Sequence, residues 1–230
     1  MSSYFESKEE EWLKTKWGIF SASEMSKLLV NGKGGNMFGV GAMTYIKRIA
    51  REASTIYNEE SRGYSSFAMK NGKVKEPESF QHLYKLLGFD GLEYLGGGEP
   101  VFKHLDPDSG CSPDCLAIKP DGTVSFGCEL KNPNGDTHFG YLIDDEDRIS
   151  DMWDLKKKKI DYYTQCQFSM KCYNTDLWLW ISYNEYFDFR HRMLIIEVKR
   201  DNNFLNELDA RRLMAIKKKY ELIEQLKQRA

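Results

Sequence analysis

The sequence predicts an α/β fold in which a mixed central β-sheet is flanked by helices. Three observations support this prediction: helical periodicity at the start of the chain, strand-like segments in its middle, and a charged amphipathic pattern at its end. At 230 residues the chain is long enough for one well-buried core. We therefore expect one domain over residues 1–230, with N-terminal helices in 9–88, the sheet and its helices in 92–198, and a last helix over 204–229.

Four helices are predicted before the sheet. They cover residues 9–17, 21–30, 42–54 and 65–89, and a glycine-rich loop separates the second from the third. Ser21 or Ser23 is expected to cap the second helix, and Gly88 suits the end of the fourth. The fourth helix is expected to bury one face formed by Phe80, Leu83, Tyr84 and Leu87.

The sheet is predicted from strand-like runs that are separated by turn residues and one helix. The runs are 92–96, 99–105, 110–119, 123–131, 176–183 and 192–199, and the helix covers 156–173. A turn at 120–122 joins the third and fourth runs into a hairpin. The segment 178–181 is apolar at every position, which is typical of a strand buried on both faces.

The overall composition excludes several classes of protein. The chain has no membrane-length apolar run and no signal-peptide pattern, so we expect a soluble intracellular protein. Five irregularly spaced cysteines do not form a disulfide framework or an iron–sulfur motif, and the four histidines lack zinc-ligand spacing. A net charge of −2 argues mildly against nucleic-acid binding, although local positive charge in a groove is sufficient for it.

Two carboxylates stand at the ends of the predicted hairpin. Asp114 and Glu129 fall near the ends of two adjacent antiparallel strands, so their side chains can meet on one side of the sheet. Two close carboxylates repel each other unless a cation lies between them. Oxygen ligands favour Mg²⁺, with Mn²⁺ as a substitute, and we expect two ions.

Lys131 lies two residues after Glu129 in the same predicted strand, so both side chains are expected on one face of the sheet. A partly desolvated lysine beside a metal ion can have a lowered pKa, and it can orient or deprotonate an attacking water. The alternative is that Asp114 caps a turn while Glu129 and Lys131 form a surface ion pair. For an isolated match to so short a pattern, this alternative is favoured about ten to one.

Four ordered motifs resemble those of the phage lambda exonuclease, or YqaJ-type viral recombinase, family within the PD-(D/E)XK nuclease superfamily. They are WGIFSASEM, NGKVKEPESF, the SPD…ELKNP hairpin and YYTQCQFSM, and they extend from about Trp12 to about Tyr183. The resemblance implies the PD-(D/E)XK restriction-endonuclease-like core.

The resemblance also implies roles for individual residues. Glu76 joins Asp114, Glu129 and the carbonyl of Leu130 as metal ligands, Lys131 is the catalytic lysine, and Gln165 orients groups at the site. Gln167 lies on a different helix face, and a structural role is expected for it. Without the resemblance, Lys73 and Glu76 would be interpreted as an i,i+3 surface pair.

A DNA-binding set is implied on the N-terminal side. It comprises Lys16 and Ser23 for the 5′ phosphate of the DNA, Trp12 for the DNA end, and Lys73. Lys16 stands where the family has an arginine, and lysine lacks the bidentate fork of arginine. Ser23 could instead be a helix cap, and Trp12 a core aromatic.

Two further features have more than one interpretation. An additional metal-site acid is common in the family, and both Asp106 and Asp108 are candidates for it. The run Lys156 to Lys159 could follow a phosphate backbone, although a solvated helix face is the more frequent meaning of such a run.

The function implied by the resemblance is a Mg²⁺-dependent 5′→3′ exonuclease. It would digest linear double-stranded DNA and leave 3′ single-stranded overhangs for recombination by strand annealing. The implied partners are a phage single-strand annealing protein and further copies of the chain in a ring-shaped trimer. An endonuclease on the same core and a non-catalytic DNA-end binding protein are the alternatives.

Overall fold

The computed structural model of the protein describes residues 2–57, 67–96 and 101–229, and the side chains at these positions except 2–7, 9 and 67–73. The helices are α1 (Ser2–Thr15), α2 (Val40–Ala53), α3 (Phe67–Leu87), α4 (Gly135–Ile143), α5 (Met152–Lys158), α6 (Ile160–Tyr173) and α7 (Asn202–Lys227). The strands are β1 (Phe20–Ser21), β2 (Leu92–Tyr94), β3 (Lys103–Asp106), β4 (Ser109–Cys111), β5 (Cys115–Ile118), β6 (Val124–Lys131), β7 (Leu177–Tyr183) and β8 (Met193–Lys199). Two 3₁₀ helices, Ala22–Leu29 and Lys33–Gly35, lie between β1 and α2.

Two sheets form the centre of the fold. The larger has the order β2-β5-β6-β7-β8, in which only the β6–β7 pair is parallel. The smaller has the order β1-β4-β3. Helices pack against both faces of the larger sheet, so the predicted α/β class with a mixed, helix-flanked sheet is confirmed.

Strand β7 separates two apolar clusters. Trp178 and Trp180 point into the cluster that contains α6 and α7, whereas Leu179 and Ile181 point into the cluster that contains Phe80 and other residues of α3. The strand is therefore buried on both faces, as its continuous apolar run predicts.

The predicted hairpin is present, with one correction. Cys115 pairs with Cys128 across β5 and β6, and Gly122 has a positive φ in the connecting turn. The single strand predicted over 110–119 is wrong, because β4 and β5 belong to different sheets. Pro113 interrupts the run, since proline cannot donate a ladder hydrogen bond. Asp114 consequently lies at the junction of the two sheets.

Several predicted helices differ in detail. The second is a 3₁₀ helix, with Ser21 at its N-cap position but making no side-chain cap bond, and with Ser23 inside it. Only Phe80 and Leu83 of the four face residues on α3 are buried, because Tyr84 and Leu87 are exposed. The α3 helix does end before Gly88, which has φ 59°. The beginnings of the predicted helix 65–89 and strand 99–105 fall outside the described residues.

Two more differences concern the region after the hairpin. The helix predicted over 156–173 is two helices, since Lys159 has non-helical φ and ψ of −137° and 63°. Helix α4 was not predicted, because it is short and contains two glycines. Asn134 caps it by accepting a hydrogen bond from the Thr137 N–H at 2.9 Å.

Gly127 is a point of close contact in the larger sheet. A Cβ atom added there would lie 2.2 Å from the Trp178 ring. We expect Gly127→Ala to lower the free energy of unfolding by roughly 1–3 kcal/mol, measured by chemical denaturation, because the fully buried indole has little room to move.

Gly41→Ala is the control: nothing lies within 4 Å of its added Cβ. In helix α2 that change is expected to be neutral or to stabilise by up to about 1 kcal/mol. Equal losses in the two variants would contradict the packing argument.

Candidate active site

A pocket of about 430 Å³ opens where the ends of β5 and β6 meet α3, α6 and the N-terminal segment. Its walls are formed by Trp12, Lys16, Ser21, Ala22, Ser23, Glu76, Ser112, Asp114, Glu129, Leu130, Lys131, Asn132, Pro133, Tyr162 and Gln165. Nine of the expected site residues line this pocket: Trp12, Lys16, Ser23, Glu76, Asp114, Glu129, Leu130, Lys131 and Gln165. They come from five separate segments of the chain.

Glu129 is the buried acid of the pocket. Its Oε1 accepts hydrogen bonds from Lys131 Nζ at 2.7 Å and from the Gln165 side-chain amide. Its Oε2 is buried and has no hydrogen-bond partner among the residues that the structure describes. Burial, and then the charge of Asp114, raise the pKa of Glu129 above its usual value. A cation beside Glu129 Oε2 would satisfy this oxygen and favour the carboxylate form.

The other two acids approach Glu129 from different elements. Asp114 precedes β5, and its Oδ2 accepts the backbone N–H of Leu130 at 2.6 Å. Glu76 projects from α3 and accepts the Tyr94 hydroxyl at 3.4 Å. In the described parts of the chain, no group of three or more His, Cys, Asp or Glu side chains is placed to hold a metal ion. Mg²⁺ commonly binds through only one or two carboxylates and keeps several waters, so these oxygen donors fit it.

Lys131 shares a face with Glu129, as its strand parity predicts. Its Nζ also lies 5.4 Å from the centre of the Tyr162 ring. Burial acts to lower the pKa of Lys131, but the carboxylates of Glu129 and Asp114 outweigh burial and raise it. The neighbouring negative charges therefore stabilise the ammonium. The lowered pKa expected for a lysine beside a metal ion stays a prediction.

The two glutamines of α6 have different contacts. Gln165 reaches Glu129 in the pocket. Gln167 donates to the Lys199 carbonyl at 2.7 Å and accepts the Asp201 N–H at 2.9 Å, so it joins α6 to the turn between β8 and α7. This bridge matches the structural role expected for Gln167.

Trp12, Lys16 and Ser23 form the N-terminal wall of the pocket. Trp12 Nε1 donates to Ser112 Oγ at 2.9 Å, and Lys16 Nζ lies 4.0 Å from the centre of the Trp12 ring. The hydroxyls of Ser21 and Ser23 are hydrogen-bonded to each other at 3.1 Å. An amine and hydroxyl groups thus line the same pocket as the carboxylates.

Asp106 and Asp108 lie outside the pocket. Asp106 accepts hydrogen bonds from Arg212 and from Ser109 Oγ, the latter at 2.8 Å. Asp108 accepts Lys219 Nζ at 2.7 Å. Both acids therefore hold helix α7 against the turn between β3 and β4. The side chain of Lys73 lies outside the part of the chain that the structure describes.

Most of the lysine run at 156–159 has partners within the protein. Lys156 pairs with Asp201 at 2.8 Å, and Lys159 pairs with Asp147 at 3.1 Å. Lys158 donates to backbone carbonyls, including that of Arg148 at 2.8 Å. These contacts attach α5 to neighbouring loops and to the start of α7.

Residues that the sequence analysis did not identify complete the walls. They are Ser21, Ala22, Ser112, Asn132, Pro133 and Tyr162. Ser112 and Asn132 are each close in sequence to an identified acid or lysine, so the hairpin motif was the available signal. Tyr162 is the first residue of the YYTQCQFSM motif, so that motif was its signal, and in the fold its ring stacks against Trp180 with centroids 5.6 Å apart.

Solved structures with a similar fold include two exonucleases. LHK-Exo, an alkaline exonuclease from Laribacter hongkongensis, is 19% identical, with a TM-score of 0.74 over 96% of this chain and 97% of that chain. LHK-Exo in complex with dAMP is 20% identical over the same shares, with a TM-score of 0.73. A phage-related exonuclease from Haemophilus somnus 129PT is 14% identical, with a TM-score of 0.69 over 90% of this chain and 96% of that chain.

These likenesses confirm the fold that the sequence resemblance implies. No protein-family model matches the chain, and no curated protein sequence does. In the described residues, no helix is long and apolar enough to cross a membrane.

Proposed function

We propose that this protein, built on the fold of these exonucleases, is a Mg²⁺-dependent 5′→3′ exonuclease that digests linear double-stranded DNA and leaves 3′ single-stranded overhangs. The observation that carries the proposal is the single pocket lined by Glu76, Asp114, Glu129 and Lys131. Three carboxylates and a lysine at the end of a sheet supply what phosphodiester hydrolysis requires of a protein. LHK-Exo has been crystallised with dAMP, and a deoxynucleoside monophosphate is the product that an exonuclease releases.

Asp114, Glu129, Glu76 and the Leu130 carbonyl would hold the metal, with Mn²⁺ as a substitute and two ions as the full complement. When bound, the metal supplies Lewis acidity and a water of lowered pKa. Glu129 Oε1 fixes the positions of Lys131 and Gln165 through its two hydrogen bonds. Lys131 Nζ then orients the attacking water, and Gln165 keeps the Glu129 carboxylate turned toward the pocket.

The N-terminal wall would select the DNA end. Lys16 Nζ and the Ser23 hydroxyl can bind a terminal 5′ phosphate, and the Trp12 ring can stack on the terminal base. Lys16, Ser23 and the three carboxylates line the same pocket, so a strand held by its 5′ phosphate would have its first internucleotide phosphate near the carboxylates. Lys73 would contribute one more phosphate contact from α3.

The resemblance extends the proposal beyond the single chain. Three copies would form a ring around the duplex, giving processive digestion in the cytoplasm of a bacterial host cell. A single-strand annealing protein of the same phage would receive the 3′ overhang.

Digestion of an end-labelled linear duplex tests this function. We expect a 5′ label to be released before a 3′ label, in Mg²⁺ but not in EDTA, and faster when the 5′ ends carry phosphate. Closed circular plasmid is the control substrate and is expected to stay intact. Earlier release of the 3′ label would overturn the polarity, and cleavage of the plasmid would favour an endonuclease.

Metal binding has its own expected result. Mg²⁺ at 100 times its Kd is expected to stabilise the folded protein by about 2.7 kcal/mol, measured as a rise in melting temperature without DNA. Asp114→Asn should remove most of this rise, because it removes one charged oxygen ligand. Asp121→Asn, in the hairpin turn, is the control and should keep it. An unchanged rise in Asp114→Asn would place the metal elsewhere.

Lys16 is expected to limit how strongly the enzyme depends on the 5′ phosphate. Lys16→Arg should increase the ratio of digestion rates between phosphorylated and unphosphorylated duplex, because guanidinium binds phosphate through two parallel hydrogen bonds. Lys16→Ala should bring this ratio close to one. Lys27→Ala, which removes an exposed lysine paired with Glu24, is the control and should leave the ratio unchanged. An unchanged ratio in both Lys16 variants would show that the phosphate binds elsewhere.

A further inference from the structure

The loop over residues 184–192, between β7 and β8, carries two largely exposed aromatic side chains next to the pocket. Tyr186 is 83% exposed and Phe189 is 69% exposed. Single exposed apolar side chains are common on protein surfaces, whereas neighbouring ones can mark an interaction site. Neither ring is explained by the pocket chemistry described above.

The 184–192 loop has a defined shape. Asn184 Oδ1 accepts the Tyr186 N–H at 3.1 Å, and Arg192 Nε donates to the Phe187 carbonyl at 3.1 Å. The His138 ring lies 2.8 Å from the His191 carbonyl oxygen and ties the far end of the loop to α4. The exposed rings are therefore presented on a preformed support, which reduces the conformational entropy lost on binding.

Helix α3 supports the loop at positions two helical turns apart. Lys75 forms an ion pair with Glu185, and its Nζ lies 4.9 Å from the centre of the Tyr186 ring. The His82 ring lies 5.3 Å from the Phe189 ring. Each exposed ring thus has a lysine or histidine side chain beside it. A base can stack on such a ring while the neighbouring side chain contacts a phosphate.

The loop is continuous with the pocket. Asn184 Nδ2 donates to the carbonyl of Pro133, a pocket residue, at 3.0 Å. Lys75 directly precedes Glu76, another pocket residue, on α3. A DNA strand that leaves the pocket on this side would meet the loop.

We propose that the 184–192 loop binds single-stranded DNA, with unpaired bases stacked on Tyr186 and Phe189 and with phosphates beside Lys75 and the exposed Arg190. The inference rests on the proposed function, because a resecting nuclease creates unpaired nucleotides beside its active site. Duplex DNA is the less suitable ligand, since its bases are already stacked and it offers mainly phosphates. The loop carboxylates Glu185 and Asp188 already contact Lys75 and His191, which leaves Arg190 as an exposed guanidinium.

Binding in EDTA tests the proposal without digestion. The probes are fluorescein-labelled (dT)₂₀ and a blunt 20-base-pair duplex, and affinity is measured by fluorescence anisotropy. Tyr186→Ala and Phe189→Ala are each expected to weaken (dT)₂₀ binding by roughly 5- to 100-fold, as the loss of one base stack does, and to change duplex binding by less than about 2-fold. Tyr186→Phe keeps the ring and should bind (dT)₂₀ like the unmodified protein.

Trp153→Ala is the matched control. Trp153 is 59% exposed, and Lys156 Nζ lies 5.5 Å from the centre of its ring, so it is a similar aromatic–lysine pair outside the loop. Its replacement should leave (dT)₂₀ affinity unchanged. Unchanged (dT)₂₀ affinity in both loop variants, or an equal loss on duplex, would overturn the inference.

Failure of this inference is distinguishable from failure of the proposed function. Normal end-dependent digestion together with unchanged (dT)₂₀ binding in the loop variants overturns the loop proposal alone. Loss of (dT)₂₀ binding in the loop variants supports the loop proposal, even if the unmodified protein digests no DNA in Mg²⁺. Equal melting temperatures of the variants and the unmodified protein show that the exposed substitutions have not disturbed the fold.

Discussion

Lys131→Met is expected to slow digestion of linear duplex DNA by roughly 10²–10⁴-fold while DNA affinity stays within a few-fold. The size of the loss is that of removing a group that acts on proton transfer in the reaction. Methionine keeps the length and the apolar part of the side chain, so it removes the charged Nζ from Glu129 with little change in packing. Initial rates with end-labelled duplex in Mg²⁺, together with anisotropy in EDTA, measure the two effects separately.

Lys171→Met is a close control for Lys131→Met. Lys171 is paired with Asp209 at 3.3 Å, and its side chain is 27% exposed, against 23% for Lys131. It lies on α6 outside the pocket, so its replacement should leave the digestion rate within about 2-fold of normal. If Lys131→Met digested DNA at the normal rate, the assignment of Lys131 as the catalytic lysine would be wrong.

Lys219→Met is expected to lower the free energy of unfolding by about 3–5 kcal/mol, the largest effect on stability that the described contacts suggest. The Lys219 side chain is 5% exposed, and its Nζ donates to Asp108, 12% exposed, at 2.7 Å and to the Gly18 carbonyl at 2.8 Å. Methionine would leave the Asp108 carboxylate buried without its cation. For a chain of this length, the loss corresponds to a melting temperature lower by about 6–20 °C.

Two further variants test whether Lys219→Met destabilises the protein by leaving a buried carboxylate unpaired or simply by replacing lysine with methionine. Lys227→Met breaks an ion pair with Glu224 that is exposed to solvent, so it should change stability by no more than about 0.5 kcal/mol. Adding Asp108→Asn to Lys219→Met should recover part of the loss, because the double variant buries no unpaired carboxylate. A double variant less stable than Lys219→Met would contradict this explanation.

The sequence predicted those parts of the fold whose causes are local. Strand β7 was found from its continuous apolar run, and the β5–β6 hairpin from strand patterns on either side of its turn. The split between β4 and β5 was missed, because it depends on which strands each half pairs with and not on the residues alone. The break at Lys159 was missed for a similar reason, since four lysines are compatible with a continuous helix.

The site was predictable only in part from local patterns. Glu129 and Lys131 are two positions apart in one strand, so alternation predicted that they share a face. The 2.7 Å hydrogen bond from Lys131 Nζ to Glu129 Oε1 agrees with this prediction. Local pattern gave no reason to bring Glu76 or Lys16 to the same pocket, because long stretches of chain separate them from the hairpin. The family resemblance supplied those residues. The raised pKa of Lys131 was not predicted, because burial and the charges of Glu129 and Asp114 act in opposite directions and the sequence does not give their balance.

The contact between Lys219 and Gly18 joins residues 201 positions apart in the sequence. Every residue that lines the pocket has been synthesised by the time a ribosome reaches residue 165. The helix that holds the Lys16–Ser23 segment against the turn at Asp108 is synthesised only afterwards. A nascent chain would therefore carry every residue of the pocket before it carries α7, the helix that holds the Lys16–Ser23 wall in place. This order delays full assembly of the pocket until α7 has been released and has docked.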